Sequence, residues 1–184
     1  MKKSRMLMMS LLFAPLLASA HNFQLLQRVA PVSVTDRGEL HYANGDFSYE
    51  KWSSGKLSGK VRVIQHIAGR GSAKDMNDPL IEAIKAAKLP RDRYQTTTII
   101  NIDDAIVGTG MFVRSSIEDN KKEFPWSQFI VDNKGYVKKA WDLQSNGSAI
   151  IVLDDQGRVK FAKDGKLTEE EVQQVMNMLH QMLR

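Results

Sequence analysis

The run Leu57-Ser58-Gly59-Lys60-Val61-Arg62-Val63-Ile64-Gln65-His66-Ile67-Ala68-Gly69-Arg70-Gly71 decides how the rest of the chain is read. Val61, Val63, Ile64 and Ile67 are β-branched or aliphatic, and glycines bound the segment at both ends. That composition suits a central strand from Val61 to Ile67, buried on both faces. Past Gly71 the signals turn helical. Ser72 is placed to cap the first amides, and Asp75 stands three residues on, as in a capping box. Ile81, Ile84 and Leu89 supply an apolar face, and Pro79 either kinks the helix or opens a second segment capped by Asp78.

Downstream, Thr96–Ile102 is rich in Thr and Ile and predicts the next strand. Met111–Phe124 predicts a polar helix closed by Pro125. Gln128–Val131, Tyr136–Trp141 and Ala149–Leu153 read as three strands, the last turning through Asp154-Asp155-Gln156-Gly157 into Val159–Ala162. A final helix starts at Thr168, with Glu171 completing a capping box and an apolar stripe from Val172 to Leu183. Upstream, residues 21–35 are extended, Asp36-Arg37-Gly38-Glu39 reads as a turn, and Asn44-Gly45 as another. Alternation in the first half and a hairpin plus helix in the second predict an α/β sandwich with a mixed central sheet.

The first 20 residues have the three parts of a secretory signal. Lys2, Lys3 and Arg5 precede an apolar stretch from Met6 to Leu17, and Ala18-Ser19-Ala20 is a small-x-small cleavage site. The stretch is too short for a permanent membrane span. The expected organisation is a signal peptide over 1–20 and a single domain over 21–184, delivered to the periplasm and free of the membrane after cleavage. Of the 26 basic residues three lie in this leader and none of the 21 acidic ones does, which leaves a surplus of two from His21 onward. With no Lys/Arg block, a nucleic-acid surface is not expected.

Leu57-Ser58-Gly59-Lys60 followed by a strand resembles the lead-in of exported TlpA-type thioredoxins, and Ile151-Val152-Leu153-Asp154-Asp155-Gln156-Gly157 resembles their closing hairpin. Val61–Arg70, Ser72-Ala73-Lys74 and Phe124-Pro125-Trp126-Ser127-Gln128-Phe129-Ile130-Val131-Asp132 are similar to the YtfJ family of small periplasmic proteins of Gram-negative bacteria. The resemblance implies a thioredoxin-like three-layer sandwich and brings no catalytic residues. It places Gly71 and Lys74 where a thioredoxin carries its two cysteines, and Ser148 at its cis-proline.

The chain has no cysteine. Thioredoxin chemistry needs an attacking thiolate and a resolving thiol, so thiol–disulfide exchange and thiol peroxidase activity are excluded. The expected activity is binding, with a peptide, an envelope protein or a small anion as partner; an enzyme of thiol-independent chemistry on the same groove is the alternative. Candidate ligand residues are Arg70, Gly71, Ser72 and Lys74, around a helix start that offers free N–H groups, and Ser148, which the resemblance to thioredoxins implies on the other side. No cofactor, metal site or catalytic residue is expected. His66 reads as a core or strand-end histidine. His41 and His180 lack partners at ligand spacing, and the Asp103-Asp104 and Asp154-Asp155 pairs read as turn residues.

Overall fold

The computed structural model describes residues 21–184, and the leader reading falls on residues 1–20, outside the described residues. The strands are β1 Ser33–Ala43, β2 Asp46–Ser53, β3 Val61–Ala68, β4 Tyr94–Asn101, β5 Gln128–Asp132, β6 Ser148–Leu153 and β7 Val159–Asp164. The α-helices are α1 Gly71–Asp75, α2 Asp78–Ala87, α3 Gly110–Glu123, α4 Tyr136–Trp141 and α5 Glu169–Met182. All strands join one sheet in the order β2-β1-β5-β4-β3-β6-β7. β3, β4 and β5 run parallel, and the outer pairings are antiparallel. Every residue of β3 is buried, as its composition demands.

The sheet has helices on both faces. On one, Ile64, Ile99, Ile130 and Ile151 pack against Val137 and Trp141 of α4 and against Trp52. The Trp141 indole N–H donates to the Ala30 carbonyl at 2.9 Å, tying the extended N-terminal segment to this layer. On the other face the packing divides. Val61, Val63, Ile150 and Val152 form one cluster with Leu80 and Ile84 of α2 and Val175 and Leu179 of α5. Leu40, Ile67, Ile100, Phe129 and Val131 form a second with Ile117 of α3. The sheet between them carries Gln65, Thr96 and Thr98, short or polar residues that give a helix little to pack against.

Three sequence expectations are corrected. Asp36-Arg37-Gly38-Glu39 is a bulge inside β1, where the register with β2 shifts between Val34 and Glu39. Gly38 has φ +86°, and a Cβ there would strike the Glu50 carbonyl, so the position needs glycine. Tyr136–Trp141 is the helix α4. Val137 and Trp141 are four apart on one buried face, and the buried Asp132 carboxylate accepts from the amides of Lys134 and Val137 at its start. A six-residue helix with a turn-supplied cap shows too little periodicity to be told from a strand.

The third correction concerns Ser72, which makes no capping bond. Arg70 is the N-cap residue, and α1 ends after five residues. The chain restarts at α2 with proline in the first turn, the two-segment alternative that Pro79 left open, but Asn77 rather than Asp78 is the N-cap and Asp78 is the first helical residue. At the C-terminus the Thr168 capping box is formed, with Glu171 N–H donating to the Thr168 hydroxyl and the Glu171 carboxylate accepting from Thr168 N–H.

Candidate functional site

Helices α2 and α3 stand apart on the same face, and between them lies a cleft of about 1220 Å³. That volume lies just above the range usual for small-molecule sites. Its floor is the central strands: Gln65 and Ile67 from β3, Tyr94, Thr96, Thr98 and Ile100 from β4, and Phe129 from β5. Ile81 and Ile84 of α2 form one wall; Phe112, Val113, Ile117 and Asn120 of α3 form the other. The expected apolar face of the first helix is thereby sorted. Ile84 joins the core with Leu80, while Ile81 and Leu89 are left half-covered at the cleft.

The two ends differ. At the lower end, where β4 begins, the Arg91 guanidinium lies 3.6 Å from the centre of the Trp126 ring. Trp126 meets Phe124 edge-on, and the Lys85 ammonium sits 5.1 Å over Phe124. Lys60 Nζ donates to the Arg91 carbonyl at 2.7 Å, so three cations and two aromatic rings form one connected group. At the upper end Ile106 and Phe112 line the mouth and are 55% and 77% exposed, beside Val107 and Met111, which are more exposed still.

The candidate residues named from sequence separate on this frame. Arg70, Gly71 and Lys74 line the upper rim of the cleft. Arg70 is already engaged there, donating from Nε and Nη2 to the Asp104 carbonyl at 3.0 and 2.6 Å. Ser72 is exposed and lies outside the lining. Ser148 is buried, and its hydroxyl accepts from Asn77 Nδ2 at 3.0 Å. Asn77 also donates to the Gly165 carbonyl and accepts from Leu167 N–H, so it clamps the break between α1 and α2 to the β7–α5 connection. Asn77→Ala should therefore lower stability by about 2–3 kcal/mol and Ser148→Ala by about 1 kcal/mol in urea melts. Equal effects of the two would contradict this clamp.

A second polar cluster sits on the opposite face at the upper edge. The Asp104 carboxylate pairs with Lys138 Nζ at 2.7 Å and accepts from Asn146 N–H. Burial works to raise its pKa, but the Lys138 ammonium and the Asn146 amide outweigh burial and hold it below the usual value. His66 is nearly fully enclosed; burial, helped by the Lys138 charge and opposed by Asp104, lowers its pKa to about 4. Between pH about 6.5 and about 4 only the unfolded chain binds this proton, so stability should fall as pH falls, by roughly 3 kcal/mol in all. His66→Gln should remove most of that fall in melts taken from pH 7 to 4; an unchanged slope would contradict it.

Among the described residues no group of three or more His, Asp or Glu is arranged to hold a metal, and no helix is long and apolar enough to cross a membrane. The cleft lining contains no histidine. A central parallel trio of strands, an antiparallel closing hairpin and helices on both faces define a thioredoxin-like fold, here without thiols. A Corynebacterium glutamicum thiol-disulfide isomerase matches 88% of this chain and 97% of its own with a TM-score of 0.52 at 18% identity. A DsbF homologue from Corynebacterium diphtheriae matches 90% and 97% with a TM-score of 0.56 at 14% identity. These likenesses concern the fold.

The chain belongs to the family described as "Bacterial protein of unknown function (YtfJ_HI0045)", whose model matches residues 23–182. It is 61% identical over 180 residues to the uncharacterized protein YtfJ of Escherichia coli K12, covering 98% of each chain. It is 49% identical over 161 residues to an uncharacterized protein of Haemophilus influenzae, covering 88% of each.

Proposed function

We propose that this chain is an exported, redox-inactive thioredoxin-like binding protein whose ligand site is the cleft between α2 and α3. One observation carries the reading: the packing on this face is divided, and the gap between its two clusters is a mostly apolar cleft of ligand size. Arg70, Gly71 and Lys74 belong to its upper rim, while Ser72 and Ser148 lie outside the lining. The absence of cysteine removes the thiol chemistry associated with such a frame. Export rests on the leader, whose cleavage after Ala20 makes His21 the first residue of the mature periplasmic protein.

Native mass spectrometry of the protein isolated from periplasm tests both parts. The expected species starts at His21 and carries a non-covalent mass. A chain still bearing residues 1–20 would overturn the export reading, and a protein that leaves the cell without any bound molecule would overturn the binding reading.

A further inference from the structure

We propose that the ligand of the cleft is a single-chain anionic amphiphile, its headgroup held by Arg91, Lys85 and Lys60 and its alkyl tail laid along β4 toward Phe112. This rests on the cleft being the ligand site and goes further by naming what fills it. Three features of the site point the same way.

The first is charge. Among the described residues six basic side chains line the cleft against three acidic ones, and four of the six, Lys60, Lys85, Lys88 and Arg91, gather at its lower end, where Glu82 pairs with Lys85 at 2.8 Å and leaves a basic surplus. The guanidinium of Arg91 is stacked on Trp126, so its edge is free to donate to a carboxylate or phosphate.

The second is the floor. β4 is hydrogen-bonded to β3 on one side and β5 on the other, so its backbone has no edge to offer an extended peptide. A peptide laid here would leave most of its own N–H and C=O groups unpaired, at a cost that an alkyl chain does not meet. The Thr96 hydroxyl is already engaged with Tyr94 Oη at 3.0 Å.

The third is the upper lip. Ile106 and Phe112 line the cleft and are also exposed, so apolar side chains lead from the interior to the outside at the end opposite Arg91, Lys85 and Lys60, where of the two rim cations Arg70 is already bonded to the Asp104 carbonyl. Eight residues of β4 span roughly 26 Å, room for a long extended tail. An apolar lip at the tail end gives that chain a path into the cleft without crossing water.

Laurate and dodecyltrimethylammonium share a tail and differ in headgroup charge, and Trp126 sits beside the headgroup position while Trp52 and Trp141 are buried elsewhere. Titration of the mature protein should show laurate changing Trp126 fluorescence and binding at least about tenfold more tightly than dodecyltrimethylammonium. Lauroyl lysophosphatidylglycerol should bind as well, and its affinity relative to laurate reports whether a free acid or a lipid headgroup is the natural source. Arg91→Ala should weaken laurate about tenfold and leave the cationic amphiphile unchanged. Its folding is not at risk, because Arg91 is exposed and Lys60 bonds its backbone carbonyl.

Equal affinity for the two headgroups, no laurate binding, or an Arg91→Ala protein that binds laurate normally would overturn the proposal. A peptide recovered in place of an amphiphile would overturn it too, while leaving the cleft as the site. Laurate binding that survives a Thr98→Trp substitution, by contrast, is a failure of the cleft assignment itself.

Discussion

Thr98→Trp is expected to abolish ligand uptake by the cleft while leaving the fold intact. Thr98 is central on β4, in register with Gln65 of β3 and Phe129 of β5, and its side chain stands on the open floor. An indole there enters unoccupied space rather than packed core, so the strain usual for a small-to-large change does not arise. Tryptophan is also a good strand former. The filled floor should lower affinity by about two orders of magnitude, equivalent to ~3 kcal/mol. Circular dichroism and melting temperature should stay close to the parent. Full binding by a folded Thr98→Trp protein would place the ligand elsewhere.

The largest loss of stability is expected at Arg62. Its guanidinium is buried on the face opposite the cleft and makes four bonds: Nε to the Leu57 carbonyl at 2.7 Å, Nη2 to the Lys56 carbonyl, and Nη1 to Thr97 Oγ1 and Gln128 Oε1. It thereby joins the β2–β3 connection to β4 and β5. Burial lowers its pKa and the nearby Glu39 raises it, but an arginine so bonded stays charged. Arg62→Ala removes a donor set that four acceptors depend on, and should cost about 3–5 kcal/mol. For a domain of this size that is a fall in melting temperature on the order of 10 °C. Thr97→Val removes one partner and should cost only about 1 kcal/mol. Similar losses from both would mean that the guanidinium is not the organising group.

The Val61 run carries its own evidence, since a β-branched segment free of charge except Arg62 has few homes other than a sheet interior. Arg62 itself shows the limit. Its sequence neighbours identify the strand but not its partners, which come from 5 to 66 residues away. The Thr168 capping box was legible because both halves lie within four residues. Ser72-Ala73-Lys74-Asp75 has similar chemistry and no such cap, because α1 starts at Gly71, two residues before a helix capped by Ser72 would, and stops after five.

The candidate site was legible at one rim only. The places that cysteines would hold point to Arg70, Gly71 and Lys74, which do border the cleft, and to Ser148, which is buried outside its lining in a bond with Asn77. The floor was not found. In sequence Thr96 and Thr98 are simply β-formers, and only the divergence of α2 and α3 above them leaves this strand surface without apolar partners. Asn77 left no trace in sequence, since its partners Ser148, Gly165 and Leu167 are brought to it by the sheet.

Amide chemical-shift mapping during a laurate titration tests the assignment of the cleft most directly. Binding between α2 and α3 should move the amides of Thr96, Thr98, Ile81 and Val113, with Arg91 shifting most at the lower end. Shifts gathered around Gly147, Ser148 and Lys138, with β4 unmoved, would contradict the account.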